Sequence, residues 1–177
     1  MSTVFADLVE RYLRTPGADT LQAVHEQIAA GGNYDPELPL EQIAAPYLRN
    51  GEYDELATRL LDLMPGAMLS PSTHTLLADA YEHTGEQRAA GRERTLARMA
   101  TRAILRSGDG TVERPWSVLR VSDETDALGE LGRTSHHVRY DERDGRLVDL
   151  HRCDDGSEVW FDVTLLREPV TAGSPSR

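Results

Sequence analysis

The chain has 177 residues, a formal net charge of -11 and a pI near 4.9, and all its basic side chains are arginine because it contains no lysine. That balance argues against a nucleic-acid partner, since phosphate binding draws its energy from Lys and Arg displacing counterions. One cysteine, Cys153, precludes an internal disulfide, and no stretch approaches the ~20 apolar residues of a membrane span, so a cytoplasmic protein is expected.

The first two thirds of the chain show helical periodicity and an internal echo. Shifting the sequence by 34 positions superposes Tyr47-Leu48-Arg49-Asn50-Gly51-Glu52 on Tyr81-Glu82-His83-Thr84-Gly85-Glu86, and Ala44 on Ala78. Tyr12-Leu13-Arg14-Thr15-Pro16-Gly17 repeats the same signal with one inserted residue. Apolar residues follow at helical spacing: Leu21, Val24 and Ile28, then Leu56, Leu60 and Met64, then Leu96, Ala100 and Ile104. A period of about 34 residues, with a small residue, an aromatic and a glycine at the turn, resembles the tetratricopeptide repeat. Three such hairpins are expected over 1–107, with Tyr12, Tyr47 and Tyr81 as packing residues. Ser70-Pro71 reads as an N-cap followed by proline at the first helical position. Ser107-Gly108-Asp109-Gly110 reads as the stop of the last long helix.

A β module is expected over 108–168 and a disordered tail over 169–177, making the fold class α+β. Residues 116–121 read as a first strand, Asp123–Leu131 as a short helix capped by Ser122 or Asp123, and 135–141, 146–153 and 158–165 as an antiparallel meander. A three-residue loop Arg143-Asp144-Gly145 sets Tyr140 opposite Val148, and a two-residue turn Asp155-Gly156 sets Leu150 opposite Phe161. Hydrophobic matching selects this register. It leaves His137, His151 and Trp160 in one row of the opposite face, and Arg139, Asp149 and Asp162 in the other. These six form the one polar constellation on which a ligand site can be built: imidazoles and carboxylates for a divalent cation, or His137, His151 and Arg139 for an anion. A solvated charge ladder is the simpler use of the same face.

No catalytic set, cofactor motif or metal-ligand set is read. Gly108-Asp109-Gly110 lacks the lysine and third glycine of a nucleotide loop, and His136-His137 sends its rings to opposite faces of a strand. The segments Ile104-Leu105-Arg106-Ser107-Gly108-Asp109-Gly110-Thr111, Trp116-Ser117-Val118-Leu119-Arg120-Val121-Ser122-Asp123-Glu124 and Val159-Trp160-Phe161-Asp162-Val163 resemble the bacterial family called domain of unknown function 4919. That resemblance implies the order of helix, turn, strand, acidic helix start and closing strand, and implies no activity. The expected function is a non-enzymatic scaffold that presents helical repeats to a protein or peptide, with a basic segment favoured by the overall charge. The alternative is a small-molecule or metal site on the sheet face, with hydrolysis as one use of it.

Overall fold

A computed structural model describes residues 3–167; the expected tail at 169–177 lies outside the described residues. Six helices come first: α1 (Thr3–Arg14), α2 (Ala18–Ala29), α3 (Leu40–Asn50), α4 (Tyr53–Leu61), α5 (Pro71–His83) and α6 (Gln87–Ser107). Their ends follow from local chemistry. The Ser70 hydroxyl accepts the Thr73 N–H at the start of α5, with Pro71 in the first turn. Gly51 and Gly85 end α3 and α5 in left-handed conformation, at φ 71° and 82°. The N–H groups that follow reach back to Tyr47 and Tyr81 respectively, at 3.0 and 2.8 Å, so the two corners share one geometry.

Successive helices pack as antiparallel neighbours, α1 on α2, α3 on α4 and α5 on α6, with α4 also packed on α5. Leu40, Ala44, Leu56, Leu60, Leu77 and Ala80 make one core among α3, α4 and α5, with Tyr47 and Tyr81 packed at its margin. The α1–α2 pair is arranged differently. Phe5, Val24 and Ile28 bury themselves against Leu119, with Tyr34, Met68, Leu69 and Leu165 closing the cluster. Packing therefore crosses the expected boundary at 107/108, and Ile104 of α6 in turn belongs to the core under the sheet.

After α6 come β1 (Trp116–Ser117), α7 (Val121–Glu130), β2 (Ser135–Arg143), β3 (Arg146–Cys153), β4 (Glu158–Asp162) and a short α8 (Thr164–Arg167). The sheet has the order β1-β4-β3-β2 and is mixed, because β1 runs parallel to β4. This corrects two expectations. The β module is not purely antiparallel, and the first strand, expected over 116–121, is only two residues long, with Val118, Leu119 and Arg120 buried beyond it. Helix α7 also begins at Val121, with Arg120 at the N-cap position; the Asp123 carboxylate instead accepts the Leu119 N–H at 3.1 Å.

The register differs by one residue on both sides of β3. Arg139 lies opposite Leu150 and Asp141 opposite Val148; Leu150 lies opposite Trp160 and Val148 opposite Asp162. The two turns have exchanged types. Asp144 and Gly145, both at positive φ (52° and 76°), make a two-residue turn between the paired Arg143 and Arg146. Residues 154–156 form a three-residue loop, closed by Cys153 N–H donating to the Ser157 carbonyl at 2.9 Å with Gly156 at φ 78°. Asp155 stabilises the longer loop by accepting from both the N–H and the hydroxyl of Ser157, at 2.9 and 2.5 Å.

One backbone junction leaves no room for a side chain. A Cβ added to Gly108 would sit 2.3 Å from the Arg114 carbonyl oxygen and 2.5 Å from that of Pro115, whereas one added to Gly91 in α6 meets nothing within 4 Å. Gly108→Ala is expected to destabilise the protein by about 1–3 kcal/mol, because rigid backbone must move. Gly91→Ala is expected to stabilise it by roughly 0.5–1 kcal/mol through helix propensity. Denaturant melts of the two variants, with opposite signs of midpoint shift, check this pair.

Candidate functional site

The shifted register separates the six residues of the expected polar face. His151 and Asp149 share a face with Val138, Tyr140, Val159 and Phe161, and this face packs on α6 and α7. His137, Arg139, Trp160 and Asp162 lie on the other face, around Val148 and Leu150. The expected six-residue site is therefore not assembled. Matching Val138 and Tyr140 to core positions misled the register, for both are about half exposed, at 49% and 48%. Buried polar residues occupy the positions beside them instead.

Each of the six has a structural surrounding. The His151 Nε2 meets the Glu124 carboxylate of α7 at 2.6 Å, both side chains are buried, and the Phe161 ring stands edge-on to the imidazole with centroids 5.1 Å apart. Asp149 is buried beside it in β3. Arg139 pairs loosely with Asp141 at 3.6 Å, Arg143 lies over the Trp160 ring at 5.9 Å, and His137 is exposed. Asp162 accepts the Thr164 N–H at 3.0 Å. Among the described residues, no group of three or more His, Cys, Asp or Glu side chains is placed to hold a metal ion.

A seam of buried polar groups joins the helices to the sheet, and the sequence reading missed it. Arg120 is 1% exposed; one of its guanidinium nitrogens donates to the Gly66 carbonyl, and its head lies 5.5 Å from the centroid of the Tyr34 ring. The Tyr34 hydroxyl donates to the Leu119 carbonyl at 2.6 Å. Burial holds the Tyr34 hydroxyl up at about 12 despite the opposing charge of Arg120, and burial lowers Arg120 itself. Asp123, 1% exposed, is pushed up to about 7 by burial, with Arg120 opposing. On the other side of the seam His25 Nδ1 meets the Ser117 hydroxyl at 3.2 Å, and burial, helped by Arg120, lowers this imidazole to about 3. Asp126 accepts from the N–H and hydroxyl of Ser72, tying α7 to α5. A charged residue before a helix and acids in its first turn are also common on solvated helices, so no sequence signal marks these groups as buried.

The histidines of α5 serve packing. His74 bridges Glu93 at 2.7 Å and the Met68 carbonyl at 2.8 Å, and His83 stacks on Tyr53 with ring centroids 4.0 Å apart.

An apolar groove of about 290 Å³ opens between residues of α1 and α6. Val9, Tyr12 and Leu13 supply one wall, Leu96, Met99 and Ala103 the other, with Met68 and Leu69 also lining it. The spacings 9, 12, 13 and 96, 99, 103 place each set on one helix face. Leu13, Leu96 and Met99 are 54%, 41% and 42% exposed, well above what large apolar side chains show in a core. Arg102 and Arg106 line the same groove, and neither makes an ion pair among the described residues. Arg106 is close enough to oppose the upward push of burial on the Tyr12 hydroxyl.

Among the described residues no helix is long and apolar enough to cross a membrane. Compared with protein-family models, with curated proteins and with solved structures, the chain finds no match in any of the three.

Proposed function

We propose that the protein is a binding module whose α1/α6 groove receives an amphipathic helical segment of a partner protein. The observation that carries this is the set of exposed Leu13, Leu96 and Met99 bordered by two arginines that form no ion pair among the described residues. An apolar helix face fits such a groove by placing side chains at i, i+3, i+4 and i+7 into it. The overall charge of -11 favours a basic partner at long range, but the groove itself is edged by Arg102 and Arg106. The inserted segment is therefore apolar on one face with Asp or Glu beside it, since local charge complementarity decides orientation and specificity. Pairwise packing of successive helices supports the same reading, because helical hairpins side by side can present an extended surface to a peptide.

The test uses two synthetic helices with the same leucine stripe, one flanked by glutamates and one by lysines, titrated against the full chain by fluorescence anisotropy. The glutamate peptide is expected to bind in the micromolar range and to weaken about tenfold with Met99→Glu. Equal or tighter binding of the lysine peptide, or no effect of Met99→Glu, defeats the proposal.

A further inference from the structure

A second cavity, of about 320 Å³, lies between α2 and the end of the sheet and shares no lining residue with the groove. Its apolar lining includes Leu21, Pro115, Val118 and Leu165. Its polar lining includes Arg146 at the start of β3 and Asp162 at the end of β4. The register sets Val148 opposite Asp162, so Arg146, two residues earlier, shares the Asp162 face at a diagonal position. Opposite charges on such neighbours lie within reach of each other when one side chain is as long as arginine. These two do not come within 4.0 Å, and neither forms an ion pair with any other described residue. One carboxylate oxygen of Asp162 accepts the Thr164 N–H at 3.0 Å, which fixes the side chain and leaves its second oxygen available to a ligand. Ser117 also lines the cavity, its hydroxyl held by the buried, neutral His25.

An anion or a cation alone would answer only one of these charges and meet the other as repulsion. A molecule carrying both, on atoms close together and with an apolar remainder, answers both charges and covers the apolar wall. We infer that the cavity binds a small zwitterion of the aliphatic α-amino acid class, its carboxylate on Arg146, its ammonium on Asp162 and its side chain against Leu21, Val118 and Leu165. The guanidinium fork suits a carboxylate in two-point contact. A cavity of this size falls at the small end of the range for small-molecule sites.

The experiment is calorimetric titration of the full chain with L-leucine, L-isoleucine, L-valine and L-methionine. 4-Methylpentanoate and isoamylamine serve as single-charge counterparts of leucine. At least one amino acid is expected to bind, with each single-charge compound weaker by about tenfold or more, the effect of one lost charge-assisted hydrogen bond. Arg146→Gln and Asp162→Asn are each expected to weaken binding by about the same factor. Asparagine preserves an acceptor for the Thr164 N–H, so Asp162→Asn reports on charge, and circular dichroism melts confirm that both variants fold. Amide shifts at Ser117 and Thr164 in nitrogen-15 spectra are expected to move with the bound amino acid and not with the amine. The assignment is overturned if none of the four binds at about 10 mM, if either single-charge compound binds as well, or if neither variant weakens binding. None of these outcomes depends on the groove between α1 and α6.

Discussion

Arg120→Ala is expected to lower the unfolding free energy by about 2–5 kcal/mol, the range for truncating a large, fully buried side chain that also satisfies a buried carbonyl. Arg120 is among the largest fully buried side chains, and it joins three parts of the molecule. Its head donates to the Gly66 carbonyl in the α4–α5 connection, lies near the Tyr34 ring in the α2–α3 connection, and carries the opposing charge nearest in effect to Asp123 in α7. Truncation leaves the Gly66 carbonyl without this donor and removes the charge that opposes the upward push of burial on the Asp123 carboxyl. For a domain stabilised by some 5–15 kcal/mol such a loss is a large fraction of the whole. Arg120→Met keeps much of the stem packing and separates volume from charge. If the charge matters, Asp123→Asn is less harmful, or more helpful, in the Arg120→Met background than in the wild type. Guanidinium melts of the four proteins close the double-mutant cycle, and strict additivity refutes the coupling.

The second large effect concerns pH. The carboxyl of Asp123 titrates near 7 in the folded chain against an ordinary 3.8, so the native state retains a proton that the unfolded chain has released. Its contribution to stability is fully present below the ordinary value and is lost as pH rises through about 7. His25 has the opposite sign. Its folded value of about 3 lies below the ordinary 6.5, so its contribution is present above 6.5 and is lost as pH falls toward 3. Between about pH 4 and 6.5 the two slopes, each near 1.4 kcal/mol per pH unit at most, oppose each other, and the wild type is expected to show little net dependence from this pair. Asp123→Asn removes one slope and keeps an acceptor for the Leu119 N–H. The variant is expected to lose stability on acidification relative to wild type by up to about 1.4 kcal/mol per unit in that window. Urea midpoints of both proteins at pH 4.5, 5.5 and 6.5 measure the difference, in which all other titrating groups cancel. Parallel curves would show that Asp123 stays charged in the fold.

These two predictions rest on residues whose burial the sequence did not reveal, and the reason is physical. Asp123 and Glu124 occupy the first turn of α7, where carboxylates are favoured by the helix dipole on any exposed helix. Their burial depends on where α7 lies relative to α5, α6 and β3, which no local pattern encodes. The same applies to His151. On its strand it reads as one half of an alternating polar face, but Glu124 lies 2.6 Å away and lets it occupy a core position.

What the sequence determined by itself is local and backed by strong chemistry. Glycines 51 and 85 could be read as left-handed helix ends because few other residues adopt that conformation, and Ser70-Pro71 as a helix start because a hydroxyl and a ring suit that turn. Helices first and sheet after followed from the change in hydrophobic period near Ser107. Tertiary structure alone decided the register of β2 and β4 on β3, the parallel addition of β1, and which polar groups are enclosed. A one-residue slip exchanges the two faces of a strand, so the outcome rests on turn conformations at Asp144-Gly145 and 154–156 and on the Glu124–His151 contact. Apolar matching of Val138 and Tyr140 is a weaker term than closing those loops and partnering a buried imidazole.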